Sequence, residues 1–237
     1  DTRGKRATLY SDPVTGDLDP WLTGLGIPFY GVWATDGFLY MPDRAFGAVF
    51  KIAADGTATA FTAGGLLASP VTVAQNPVTG ELVVSDIFSE TVVRLDEFGN
   101  QTLIHDAVTS GGLISGPGGL AFDPDGTLYV ANNTGNNVAA IAPNGDISLA
   151  CDDPLLASPG GLAADGAGNL FVASYDNDNI VRVRLHSGEA EVFADDGFMI
   201  RPNDVKLHRA GSLLVTTRNS ALVEVDAAGQ TTVVKQD

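Results

Sequence analysis

The chain has 237 residues, of which 44% are hydrophobic and 18% charged, enough apolar material for a folded core. Its 29 acidic and 13 basic side chains leave a net charge of −16, which repels phosphate backbones and excludes nucleic acid as a natural partner. No apolar run reaches the roughly 18 residues of a membrane span, and a lone Cys151 rules out an intramolecular disulfide.

Residues 1–27 read as part of a unit that becomes clear only downstream. Ala7–Leu22 matches two strands joined by a turn at Gly16, and nothing in residues 1–27 supplies the two strands that precede this pair elsewhere. The chain opens on Asp1 without a signal-like segment, which leads us to expect trimming or processing upstream. Its acidic, lysine-poor make-up points to an exported protein, extracellular or periplasmic.

From Pro28 onward a repeat sets the organisation. A loose copy begins at Pro28-Phe-Tyr-Gly-Val-Trp. Closer copies follow at Pro70-Val-Thr-Val-Ala, Pro117-Gly-Gly-Leu-Ala-Phe-Asp, Pro159-Gly-Gly-Leu-Ala-Ala-Asp and Pro202-Asn-Asp-Val-Lys-Leu. The prolines lie 42, 47, 42 and 43 residues apart, the period of a β-propeller blade. The units are therefore 28–69, 70–116, 117–158, 159–201 and 202–237, with 1–27 as a partial blade, all in one domain.

Each unit reads as four short strands. A small apolar strand such as Gly119–Phe122 comes first, then a glycine-ended turn such as Asp123-Pro-Asp-Gly126. The second strand is the most regular, as in Leu82–Ser85, Leu128–Ala131, Leu170–Ala173 and Leu213–Thr216. A polar loop leads to a third strand (Val92–Leu95, Val138–Ile141, Ile180–Val183, Leu222–Val225), and a second Gly turn leads to the fourth. No stretch carries a helical period. The prediction is an all-β propeller of four-stranded antiparallel blades, six in number with the first incomplete, or alternatively five. The alternation places Leu128, Val130, Leu170 and Val172 on buried faces between blades.

Leu128-Tyr-Val-Ala-Asn-Asn-Thr-Gly-Asn-Asn-Val-Ala-Ala-Ile141 and Leu170-Phe-Val-Ala-Ser-Tyr-Asp-Asn-Asp-Asn-Ile-Val-Arg-Val183 resemble NHL repeats. The Pro-x-Gly-Leu-Ala openings are similar to those of the broader six-bladed group with the SMP-30/gluconolactonase and strictosidine-synthase-like proteins. That resemblance implies a propeller fold and, among functions, scaffolds, binders, lactonases and lyases.

In such a fold the loops after each second strand and the connectors between blades crowd one mouth of the central channel. Asp86, Asn132, Asp176 and Asn203 fall there, an oxygen-rich set suited to a hard cation such as calcium. The SMP-30-like resemblance implies a metal at this mouth, and Pro202-Asn203 is similar to that group's Pro-Asn-Gly segment. At the matching positions of other blades stand Val71, Gly118 and Gly160, which offer no ligating side chain. Asp43, Arg44, Asn133, Asn177, Arg201 and Arg218 complete the expected binding face.

His105, His186 and His208 occupy three non-equivalent repeat positions, so no histidine metal site is expected. No catalytic residue or certain cofactor emerges. The reading is a non-catalytic, exported binding or assembly module for a protein or glycan surface, or for copies of itself through donated strands. The alternative is a divalent-metal-dependent lactonase, hydrolase or lyase of SMP-30 or streptogramin-lyase type.

Overall fold

The computed structural model describes residues 25–208 and 211–236. They form five four-stranded antiparallel sheets, each built from consecutive strands. The first holds β1 (Val32–Trp33), β2 (Leu39–Asp43), β3 (Ala48–Ile52) and β4 (Ala58–Ala63). The second holds β5 (Pro70–Gln75), β6 (Leu82–Asp86), β7 (Thr91–Leu95) and β8 (Gln101–Asp106). The third holds β9 (Pro117–Phe122), β10 (Leu128–Asn132), β11 (Asn137–Ile141) and β12 (Ile147–Cys151). The fourth holds β13 (Pro159–Ala164), β14 (Asn169–Ser174), β15 (Asn179–Arg184) and β16 (Ala190–Ala194). The fifth holds β17 (Pro202–Leu207), β18 (Leu213–Thr217), β19 (Ala221–Val225) and β20 (Thr231–Gln236).

The sheets are blades of a propeller, with β1, β5, β9, β13 and β17 innermost. Five blades are described, the alternative number. The two strands expected at Ala7–Leu22 lie outside the described residues.

Alternation along each second strand explains the stacking. Leu170 and Val172 point toward the third blade, and Phe171 and Ala173 toward the fifth, so one strand feeds two separate cores. Leu128 and Val130 do the same job between the second and third blades. All four residues expected at these faces are buried. Blade four meets blade five through Ile180, Met199, Val205, Leu213, Val215 and Val223. The fifth blade's other face, with Leu214, Leu222 and Glu224, is only half buried and Thr216 is exposed.

Near the axis the inner strands come into direct contact. A Cβ on Gly119 would sit about 2.3 Å from the carbonyl oxygen of Gly160, and one on Gly161 would meet Asp204. Any larger residue would force blades three, four and five apart at this level, which is why the Pro-Gly-Gly openings carry glycine. Blades one and two are joined differently. Tyr30 pairs in parallel with Thr72, its amide donating to Val71 and its carbonyl accepting from Val73. The Tyr30 side chain then crosses the channel, and its hydroxyl donates to the carbonyl of Asn203 on blade five at 3.1 Å.

Candidate functional site at the loop end of the channel

Four of the five second strands end in a polar residue that grips the chain segment leading into the blade's first strand. Asp86, fully buried, accepts from the amides of Ala68 (2.7 Å) and Ser69 (2.6 Å) on one oxygen. Its other oxygen accepts from Phe88 (3.1 Å) and Ser89 (2.8 Å). Asp43 repeats the pattern with the amides of Gly26, Ile27, Ala45 and Phe46. Asn132 accepts from the Ser115 amide and donates to the Leu113 carbonyl and to Asn137 Oδ1. In blade four Ser174 serves, accepting from Ala157 and donating to Leu155. Thr217 of blade five instead bonds Asn219 and Ala221 in its own loop.

These bonds bear directly on the calcium shell expected of Asp86, Asn132, Asp176 and Asn203. Both Asp86 oxygens, buried, are engaged by two amides each, and a cation would have to displace backbone bonds that hold the blade junction. Asn132 is equally committed. Asp176 accepts from the Ser158 hydroxyl on the exposed rim, and Asn203 takes part through its backbone carbonyl, which faces Tyr30. The four residues lie on four different blades and their observed contacts do not fit a metal shell. Among the described residues, no group of three or more His, Cys, Asp or Glu gathers to hold a metal ion.

The expected binding face divides as well. Asp43 is a buried clasp, and Asn177 donates to the carbonyls of Pro154 and Leu155 in the neighbouring connector. Asn133 is half-buried in its turn. The three arginines are different. Arg44 donates from Nε to the Ser69 hydroxyl (2.8 Å) and lies 5.0 Å over the Phe29 ring. Arg201 lies 5.5 Å over the Tyr175 ring, and Arg218 donates to the Tyr175 hydroxyl at 2.8 Å. Among the described residues none of the three joins an ion pair, whereas Lys51, Arg94, Arg182, Arg184 and Lys206 all do.

Tyr30 spans from blade two to blade five at this level. Burial pushes its phenol well above the usual value, Asp204 and Tyr175 add to that, and Arg44 opposes it. Tyr30 therefore stays a neutral hydrogen-bond donor to the Asn203 carbonyl. The Arg201 backbone is also held in the left-handed region (φ 48°) immediately before Pro202, with its amide donating to Asp178 at 2.7 Å. A non-glycine residue there is strained, and it persists because the neighbouring loop fixes it.

No family model and no curated protein matches the sequence. Solved structures do match the fold. A virginiamycin B lyase from Staphylococcus aureus superimposes with a TM-score of 0.73 at 16% identity, covering 88% of this chain and 69% of that one. A nidogen/laminin complex gives 0.75 at 18% identity, with 86% and 78% covered. A gluconolactonase from Xanthomonas campestris gives 0.72 at 18% identity, with 88% and 75% covered. All are similar in fold, and the fold is that of a β-propeller.

The most exposed part of this end was not anticipated from sequence. Phe88 (80% exposed) and Phe46 (56%) stand in the loops after the second strands of blades two and one, and Ile27, Phe198 and Ile200 lie exposed on connectors. The signal was present: blades three and four put Asn133-Thr-Gly-Asn and Tyr175-Asp-Asn-Asp where blade two has Ile87-Phe-Ser-Glu.

Proposed function

We propose that this propeller is a binding module that takes a polypeptide segment of a partner protein across the loop end of its channel. The observation that carries the reading is the composition of that end. Exposed Phe46, Phe88, Ile27, Phe198 and Ile200 share the loop end with Arg44, Arg201 and Arg218, and the arginines are oriented by Phe29 and Tyr175. Aromatic residues and arginine are the side chains that dominate binding energy at protein interfaces. A propeller presenting them on loops over a rigid scaffold suits such a role. The acidic composition supports an exported setting for the same reading.

The enzymatic alternative draws on the lyase and gluconolactonase neighbours, whose likeness is one of fold. It requires a divalent cation at the channel mouth.

One experiment weighs the two readings. Partner capture from the medium of the source cells is compared for the wild type and a Phe46→Ala/Phe88→Ala double variant of equal melting temperature. Loss of one specific partner in the double variant supports binding through this end. Equal capture by both proteins, together with a calcium-dependent lactonase or lyase activity abolished by EDTA, overturns it.

A further inference from the structure

Two arginines of the loop end are brought together by the backbone before their side chains act. Arg201 closes the connector into blade five, and Arg218 opens the loop after β18 of the same blade. The Arg218 amide donates to the carbonyls of Ile200 and Arg201, each at 3.2 Å. Arg201 is fixed in turn by its left-handed backbone (φ 48°) and by the bond from its amide to Asp178 at 2.7 Å. Both side chains then meet Tyr175, in the loop after β14 of blade four. Arg201 lies 5.5 Å over the ring, and Arg218 Nη1 donates to the hydroxyl at 2.8 Å. The pair straddles the junction of blades four and five.

These two arginines also stay clear of carboxylates in a protein rich in them. The sequence holds 29 acidic side chains against 13 lysines and arginines. Among the described residues Lys51, Arg94, Arg182, Arg184 and Lys206 each pair with one, and Arg201 and Arg218 do not. The carboxylates of the adjoining loop serve other donors: Asp178 takes the Arg201 amide, and Asp176 takes the Ser158 hydroxyl. Of the N–H donors on the two guanidiniums, only the one given to Tyr175 has a partner among the described residues. A guanidinium is a planar fork that matches a carboxylate with two parallel hydrogen bonds, and it is less strongly hydrated than an ammonium. Here both forks are set by a ring and by pinned backbone before anything binds, so less side-chain freedom is lost on binding.

We propose that Arg201 and Arg218 anchor one carboxylate, that of an Asp or Glu side chain within an apolar stretch of the partner polypeptide. The inference rests on the binding function proposed above and adds the chemistry of the segment bound. Apolar flanks are matched by Ile200 and Phe198, on the same connector and 45% and 44% exposed. Net charge limits the anion. At −16 the whole protein repels a polyanion, whereas a single carboxylate set between two guanidiniums feels mainly those two. More distant charges are screened over about 8 Å at physiological salt. A side chain, not a chain terminus, is assigned because the segment runs across the channel end.

The test titrates three tripeptides into the isotope-labelled whole protein and follows the arginine Nε–H signals by NMR. They are acetyl-Leu-Glu-Leu-amide, its neutral isostere acetyl-Leu-Gln-Leu-amide, and acetyl-Leu-Gln-Leu with a free terminal carboxylate. The Glu peptide should shift the Arg201 and Arg218 signals saturably at millimolar concentration. The neutral peptide should bind at least tenfold more weakly, and the free-carboxylate peptide more weakly than the Glu peptide. Arg201→Gln and Arg218→Gln, both at exposed positions, should each abolish the preference for Glu over Gln. Arg182→Gln, on β15 and paired with Glu191, should keep it. Equal binding of the Glu and Gln peptides, or no saturable shift with the Glu peptide, would overturn the inference. So would tighter binding of the free-carboxylate peptide, or an unchanged preference in both variants. Partner capture that still depends on Phe46 and Phe88 would then leave the binding surface standing without this anchor, whereas capture that fails as well removes the surface itself.

Discussion

The two ends of the channel are built from the same five inner strands yet present opposite chemistry. At the loop end, arginines and aromatic rings face outward over a scaffold of buried side-chain-to-backbone bonds. At the turn end, the space between the inner strands is open to solvent and is bordered by residues of all five blades, among them Val32, Ala74, Phe122, Ala163 and Leu207. The difference arises from position along the repeat. Second strands end in Asp43, Asp86, Asn132 and Ser174, which spend their polar atoms on connectors. First strands end in Trp33, Phe122, Ala164 and Leu207, and in Gln75, which accepts from the Thr35 amide and donates to the Gly80 carbonyl. One repeat thus yields one end whose loops are pinned by buried side-chain-to-backbone bonds, and another closed by short hairpin turns.

The sharpest way to break this contrast is at Asp86. Asp86→Ala should cost about 3 kcal/mol or more, since it strands four amide donors at a blade junction. Denaturant unfolding measures it. Asp86→Asn should recover only part, because the amide nitrogen cannot accept. Millimolar calcium should leave the wild-type melting temperature unchanged; a clear rise would make the carboxylate a metal ligand instead of a clasp.

Phe88→Ala sharpens the contrast from the binding side. It should weaken partner binding by about 2 kcal/mol, roughly 30-fold, while stability stays within about 0.5 kcal/mol because the ring is exposed. Binding titration and thermal melting on the same preparation separate the two.

At the turn end the sign reverses. Thr72→Val removes a buried hydroxyl that has no hydrogen-bond partner, at nearly constant shape, and should raise stability by about 1 kcal/mol. A loss on thermal unfolding would mean that the hydroxyl has a partner and that the two ends are less different than described.

The smallest effect serves as a control belonging to neither end. On the outer strands, the hydrogen bond from Arg182 (2.7 Å), with the charges of Arg182 and Arg184, holds the Glu191 carboxyl below its usual value of 4.5. A depressed folded-state value means the contribution is complete above that usual value and is lost as pH falls through the lower, folded one. The melting-temperature gap between wild type and Glu191→Gln should therefore close as pH drops below about 4.5, with no change in partner binding at the loop end.

The fold was legible because each blade repeats its own grammar. The prolines mark first strands, the glycines mark turns, and Leu170, Val172 and their counterparts mark the junctions. The site was legible only in part. Arg44, Arg201 and Arg218 stand in the loops and connectors where the repeat put them, but sequence spacing could not show that Phe29 would underlie Arg44 or that Tyr175 would meet both Arg201 and Arg218. Asp86 and Asn132 looked like cation ligands because a carboxylate or amide at a channel mouth reads the same whether its oxygens face a metal or a backbone amide. Only the connector running 17 residues earlier in the chain reveals which.

That interval carries a consequence for how the chain comes into being. Each connector is secured by a side chain 16 or 17 residues further on: Ile27 by Asp43, Ser69 by Asp86, Ser115 by Asn132, Ala157 by Ser174. During synthesis the gripping residue leaves the ribosome after the segment it holds. A finished blade is therefore fastened only when the second strand of its successor has emerged, and assembly proceeds as a series of delayed latches. Blade five, whose Thr217 keeps to its own loop, is the place where that series changes its rule.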